Sequence, residues 1–203
     1  AQEMGIGLGL YYAFKDGMQN IKEANKGSEN GTALNIGDIV DMMESGGFAD
    51  LTEEQKDFLF DSAGYSIASN PYHISSVEQA AQDNAYYQSL TGDDLYYFRS
   101  LANEYEDAVQ NGKSLDGWVA KAKLAADNGV VEPYQFAELR HALLYADTDE
   151  NGSYKQEEVT AAINSLSDLT DYQKAYLWQA QNKKWKAESN PFGYAEVYWP
   201  ETE

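Results

Sequence analysis

Apolar residues recur at three- and four-residue steps along almost the whole chain, and no stretch of useful length alternates apolar with polar residues. An α-helix turns once in about 3.6 residues, so this period lines a single helical face, whereas a half-buried strand needs a period of two. The pattern restricts the chain to an all-α architecture. Met4, Leu8, Tyr11, Phe14, Met18 and Ile21 make one such face between Glu3 and about Lys26. Ile36, Ile39, Val40 and Met43 make a short one that breaks at Gly46-Gly47. From Leu51 to about Ser69 the period runs through Phe58, Leu59 and Tyr65, and Asn70-Pro71 stops it. Ser75-Ser76-Val77-Glu78 reads as a capping box that opens a helix toward Leu90. Thr91 with Asp94 caps the next, which passes Leu101 and Tyr105 to Asn111-Gly112. A helix over Ser114 to Ala126 ends at Asn128-Gly129, and Pro133 suits the first turn of the helix carrying Phe136, Leu139 and Leu143. The expectation is a multi-helix bundle with short connections, one helical domain over residues 1–203.

Composition excludes several functional classes. With 203 residues, 43% of them hydrophobic and 13% aromatic, the chain can bury a sizeable core. Its net charge of -20 repels phosphate backbones and attracts cations, which argues against nucleic acid as a partner. No run approaches the roughly eighteen apolar residues of a membrane span, and Ala1 to Leu10 lacks the features of a signal peptide. The first residue is not methionine and the finish, Trp-Pro-Glu-Thr-Glu, is polar, so the chain reads as a piece of something longer. Cysteine is absent and histidine occurs only at His73 and His141, which leaves oxygen-ligated hard cations as the accessible metal chemistry. Missing cysteines fit a cytosolic, viral or Gram-positive surface setting. The triplets Asn30-Gly31-Thr32 and Asn151-Gly152-Ser153 read as chance matches to a glycosylation signal.

Two segments match each other. Leu51-Thr-Glu-Glu-Gln-Lys-Asp-Phe-Leu-Phe, continuing to Ser-Asn-Pro-Tyr72, aligns with Leu169-Thr-Asp-Tyr-Gln-Lys-Ala-Tyr-Leu-Trp, continuing to Ser-Asn-Pro-Phe192. Upstream of each lies a short helix, at Ile36 to Ser45 and at Glu157 to Leu166, and upstream of each helix an Asn-Gly loop. The reading is a duplicated unit over residues 27–72 and 147–192, with the helices of residues 73–146 between the copies.

The second loop carries the chemistry. Asp147-Thr-Asp-Glu-Asn-Gly-Ser-Tyr-Lys-Gln-Glu-Glu158 places oxygen-bearing side chains at positions 1, 3, 5 and 12 of twelve, with glycine at position 6. Calcium takes six to eight oxygens at about 2.3–2.6 Å, and one loop supplies them when side chains alternate inward around a sharp central turn. Asp147, Asp149 and Asn151 give the alternation, Gly152 the turn, Ser153 a backbone carbonyl, and Glu158 both carboxylate oxygens from the start of the next helix. Lys155 at position 9 does not ligate, so a water takes that place. Leu139, Leu143 and Ala146 before the loop, and Val159, Ala162 and Ile163 after it, keep the spacing of inward helix faces. The competing account is an acidic Asx turn with no metal. On these residues the segment 136–166 resembles the EF-hand superfamily, which implies Ca2+ as the bound ion. The first loop, Gly27 to Asp38, keeps Glu29, Asn30, Gly31 and Asp38 without the opening Asp, and so resembles a degenerate partner. In that family such loops pair through position 8, which would set Tyr154 against Ala33 or Leu34.

The run from Lys174 to Phe192 looks like helical regions of virion or tail-associated proteins of phages and prophages of Gram-positive bacteria. That resemblance implies a non-enzymatic structural or interaction domain of a larger particle protein, located in a virion or the bacterial cytoplasm, with a protein partner or a homo-oligomeric assembly. A calcium-responsive binding module of the sensor kind is the alternative, although only four methionines and one intact loop are available for it. A cell-wall-acting enzyme accessory comes third, resting on acidic pairs such as Asp93-Asp94, Glu104 with Glu106 and Glu157-Glu158. His141 is expected at a surface or half-buried helix position and His73 at a helix start. The doublets Tyr11-Tyr12, Tyr86-Tyr87 and Tyr96-Tyr97 are expected to pack one ring each and leave the other in solvent.

Overall fold

A computed structural model describes residues 4–27, 34–149 and 153–200. Among the described residues the chain forms ten α-helices and no strand. They are α1 (Leu8–Ala24), α2 (Ile36–Met43), α3 (Glu53–Ser62), α4 (Ser76–Ala81), α5 (Ala85–Gln88), α6 (Asp93–Gln110), α7 (Gly117–Asp127), α8 (Pro133–Ala146), α9 (Gln156–Ser165) and α10 (Asp171–Gln179). Short 3-10 turns stand at Gly46–Phe48, Ile67–Ser69 and Ala187–Ser189. The all-α, multi-helix architecture is the one that the apolar period requires, and no helix among the described residues is long and apolar enough to cross a membrane.

Local chemistry sets the helix ends. Thr52 accepts from Gln55 N at 3.2 Å while Gln55 Oε1 accepts from Thr52 N at 2.9 Å, a reciprocal cap that starts α3. Thr170 and Gln173 repeat it at the start of α10, at 3.1 and 3.0 Å. Pro133 occupies the first turn of α8 and Gly129, at φ +69°, ends α7, both where the sequence puts them.

Five predicted helices are drawn differently. The first begins at Leu8 and leaves Met4 outside it. The helix expected from 51 to 69 stops at Ser62, because Gly64 turns left-handed at φ +79° and Tyr65 N bonds back to Phe60 O at 3.1 Å. The helix expected from Ser76 to Leu90 splits into α4 and α5, because Asn84 Oδ1 takes both Tyr86 N, at 3.0 Å, and the Ser167 hydroxyl, at 2.7 Å. Only half of the expected capping box forms there: Ser75 Oγ accepts from Glu78 N at 3.1 Å, while the Glu78 carboxylate turns inward to Arg99. At α6 the cap is Gly92 rather than Thr91, and α7 begins at Gly117 rather than Ser114.

The core has two clusters. The smaller one joins Phe14 and Met18 of α1, Ile39 and Met43 of α2, Leu59 and Phe60 of α3, and Tyr72. The larger one gathers α4, α6, α7, α8, α9 and α10 around Phe98, Phe136, Leu139, Leu143, Ile163 and Trp178. Each fully buried side chain of this size stabilises the fold by about 1.5–3 kcal/mol relative to exposure. Helix α6 links the clusters: its Tyr96 packs against the smaller one, while Phe98, Ala102 and Tyr105 belong to the larger. A buried polar seam runs under that helix. Arg99 Nε donates to Glu78 Oε2 at 2.9 Å and Arg99 Nη1 to the Pro71 carbonyl at 2.8 Å.

Candidate metal centre

Helix α8 ends at Ala146, and Asp147, its C-terminal cap, leaves the helical path at φ -73° and ψ 85° while its N–H still bonds Leu143 O at 3.0 Å. Lys155 is the extended residue before α9, which puts Glu158 in that helix's first turn. A helix's first turn leaves N–H groups without intrahelical partners, and the Glu158 carboxylate uses them. Its Oε2 accepts from Lys155 N at 2.9 Å, and its Oε1 accepts from Thr148 N at 3.2 Å and from the Thr148 hydroxyl at 3.0 Å. These bonds, led by the one from Lys155 N, hold the Glu158 carboxyl below its ordinary range.

Asp147, Asp149 and Glu158 converge: one carboxylate oxygen from each lies within 4.8 Å of the other two. Two oxygens bound to one calcium at about 2.4 Å cannot be more than about 4.8 Å apart, so the three residues meet the basic geometric condition for sharing an ion. Their donors are all oxygen, which suits a hard cation and no soft one. Lys155 enters the site as a competitor. Its Nζ donates to Asp149 Oδ2 at 2.7 Å, and this contact raises the ammonium's pKa. The preceding residue, Tyr154, lies half-buried with the Arg140 guanidinium 5.4 Å from its ring.

Of the five residues named as ligands from sequence, Asp147, Asp149 and Glu158 are thus brought together and Ser153 is exposed, while Asn151 and the Gly152 turn lie outside the described residues. Half of the first loop, residues 28–33, does too. At its flanks Asn35 caps α2, accepting from Gly37 N at 2.8 Å, and Asn25 Nδ2 donates to Asp38 Oδ2 at 3.0 Å. The expected contact through position 8 does not form between Leu34 and Tyr154. Leu34 packs against the smaller cluster and Tyr154 against the larger, with no backbone bond between them; Ala33 lies outside the described residues.

Other nominated groups go elsewhere. His141 is not a surface or half-buried residue but 1% exposed, because Tyr86 of α5 folds over it and their Oη and Nδ1 atoms meet at 2.7 Å. Burial lowers its pKa. His73 pairs with Glu106, Nε2 to Oε2 at 2.7 Å. The acidic pairs are dispersed: Asp94 accepts from the Tyr145 hydroxyl, Glu104 from Trp118 Nε1 at 3.2 Å, and Glu106 is buried against His73. In the doublets Tyr11-Tyr12 and Tyr96-Tyr97 one ring packs and the second is exposed, whereas Tyr86 and Tyr87 are both partly buried with hydroxyls bonded to His141 and Glu78. Sequence reading missed Glu138, a carboxylate 1% exposed in the middle of α8. The available signal was its place in a row of polar residues at helical spacing, Gln135, Glu138 and His141, all of them buried. Compared with protein-family models, curated proteins and solved structures, the chain finds no match.

Proposed function

We propose that the chain is a non-enzymatic helical scaffold module in which one calcium ion at residues 147–158 ties α8 to α9, as part of a larger, phage-type assembly protein. The supporting observation is the meeting of Asp147, from the end of α8, with Asp149 and with Glu158, from the start of α9, within 4.8 Å. Asp147, Asp149 and Glu158 would hold the ion together with Asn151 and the Ser153 carbonyl, and the ion would supply the positive charge that three neighbouring carboxylates need. The chain's own groups do the rest. Thr148 and the Lys155 N–H keep the Glu158 carboxylate ionised and aimed into the loop, and the Lys155 ammonium holds Asp149 until a cation takes its place. Oxygen donors alone admit magnesium, but a carboxylate that closes the site with both oxygens suits the larger, less rigid shell of calcium.

Calcium titration at fixed ionic strength, followed by thermal melting, tests this on the wild type and Glu158→Gln. A folded-state site at a hundredfold excess over Kd adds about 2.7 kcal/mol, or roughly 5–10 °C for a chain of this size. The variant is expected to lose that shift, and an apolar dye should report no new exposed surface when calcium binds. A wild type whose melting is indifferent to calcium would remove the metal-centred reading.

A further inference from the structure

The two sequence-matched segments fold alike but are not covered alike. In each, an Asn-Pro stop follows a 3-10 turn, and the asparagine side chain accepts from the N–H two residues on: Asn70 from Tyr72 and Asn190 from Phe192, both at 3.0 Å. In each, two aromatic rings meet before the stop, Phe60 edge-to-face with Tyr65 at 6.3 Å and Trp178 tilted against Trp185 at 4.7 Å. Over the first segment lies α6. Its Arg99 donates to the Pro71 carbonyl at 2.8 Å, its Asn103 to the Asn70 carbonyl at 3.0 Å, and its Tyr96 ring meets Tyr72 at 6.2 Å. Asn70, Pro71 and Tyr72 are consequently buried, and Ile67 to Ser69 are half-buried. Among the described residues no helix covers the second segment in this way. Ala187, Glu188, Ser189 and Pro191 are exposed, and beside them Glu157, Thr160, Ala161 and Asn164 of α9 wall an open groove of about 430 Å³ with Trp178 at its floor.

We propose that this groove docks an amphipathic helix of a partner protein, in the manner in which α6 docks on the first segment. The proposal does not depend on the metal site. The partner helix carries the face that α6 uses: an aromatic residue, an arginine three positions on, and an asparagine four beyond that, matching Tyr96, Arg99 and Asn103. It is cationic overall. Glu157 lines the groove, Glu188 stands on the turn, and the chain as a whole carries a net charge of -20, so a basic helix is drawn in while an acidic one is repelled. The same charge disfavours a second copy of this chain, whose own α6 is in any case already occupied by its first segment.

The probe is a synthetic peptide of Asp93 to Gln110 in which Asp93, Asp94 and Glu104 are replaced by lysine, titrated into the intact protein and read by peptide anisotropy and by tryptophan emission. Saturable binding is expected, with Trp178 and Trp185 emission changing in step. Ala161→Arg, on the exposed groove wall, should weaken binding about tenfold or more, and so should removing the Arg99 and Asn103 side chains from the peptide. Ala49→Arg, an exposed site near the other segment, makes the same charge change and should leave binding nearly intact. Absence of saturable binding, binding indifferent to Ala161→Arg, or equal losses from the two arginine substitutions would each overturn the proposal.

Discussion

Glu138 offers the sharpest test of how this fold handles charge. It is 1% exposed, its Oε1 has no hydrogen-bond partner, and burial first, then the neighbouring Asp168 carboxylate, push its carboxyl up to about 8 from an ordinary 4.5. The folded protein therefore keeps a proton there that the unfolded chain releases above about pH 4.5. Between those two values the native state binds more protons, so stability falls as pH rises, by about 1.4 kcal/mol per pH unit, and it levels off above about pH 8. At pH 7 the accumulated cost is about 3 kcal/mol, a large share of the roughly 5–15 kcal/mol that hold a domain together. His141 acts in the opposite sense: burial lowers its pKa from 6.5, so the unfolded state binds the extra proton and stability falls as pH drops below that value. The wild-type profile mixes both effects.

Glu138→Gln isolates the carboxyl, because the amide keeps the shape and cannot titrate. Urea unfolding of both proteins at pH 5, 6, 7 and 8, at constant ionic strength with a chelator present, gives the difference in stability at each pH. The variant should gain on the wild type by about 3–4 kcal/mol between pH 5 and pH 8, which at a slope of about 2 kcal/mol per molar urea moves the relative midpoint by roughly 1.5–2 M. A difference that stays constant across the series would show that Glu138 ionises at its ordinary pH, and would refute the argument from its burial.

Lys155→Gln removes the ammonium that competes for Asp149, so calcium should bind about two- to fivefold more tightly by isothermal calorimetry, in keeping with the modest strength of an exposed ion pair. Arg99→Met strands the buried Glu78 carboxylate and should cost about 3–5 kcal/mol in urea unfolding, whereas adding Glu78→Gln to it should recover at least half, because the uncompensated charge is gone. Asn190→Ala takes partners from Phe192 N and the Ala175 carbonyl and should cost about 1–3 kcal/mol. Asn70→Ala should cost more by the same measurement, since Asn70 donates to the Asp57 carboxylate, at 2.6 Å, where Asn190 donates to a neutral carbonyl.

Much of the fold was legible because its signals are local. The Thr52-Gln55 and Thr170-Gln173 caps, Pro133 in a first turn and Gly129 after a last one each act within four residues, and each stands where the sequence marks it. What was not legible depends on distant partners. The break between α4 and α5, where Asn84 caps α5, is also held by Ser167, 83 residues on, and His141 is buried by Tyr86, 55 residues before it. Glu78 has the spacing of a capping residue and gives it up for a guanidinium 21 positions away. In the loop, spacing named the three carboxylates that meet, because a turn between two helices fixes them by sequence alone. It did not show Lys155 reaching Asp149, since a long flexible side chain chooses its partner in space.

A chain of net charge -20 cannot fold without dealing with the acids it buries, and it does so by several means. Glu78 takes a guanidinium at 2.9 Å, Glu106 an imidazole at 2.7 Å, and Asp107 the Lys113 ammonium. Glu138, with no cation nearby, keeps its proton. The balance of charge is different at residues 147–158. That segment holds five carboxylate side chains, at Asp147, Asp149, Glu150, Glu157 and Glu158, against one cation, Lys155, whose ammonium is largely exposed. Glu158 does not take a proton either, for the hydrogen bonds from Lys155 N and Thr148 hold it down as a carboxylate, the reverse of what burial does to Glu138. Monovalent salt thins the field around such a cluster without entering it. A divalent cation among Asp147, Asp149 and Glu158 would neutralise most of their charge at its source, and this charge argument leads to a divalent cation independently of the spacing of the motif.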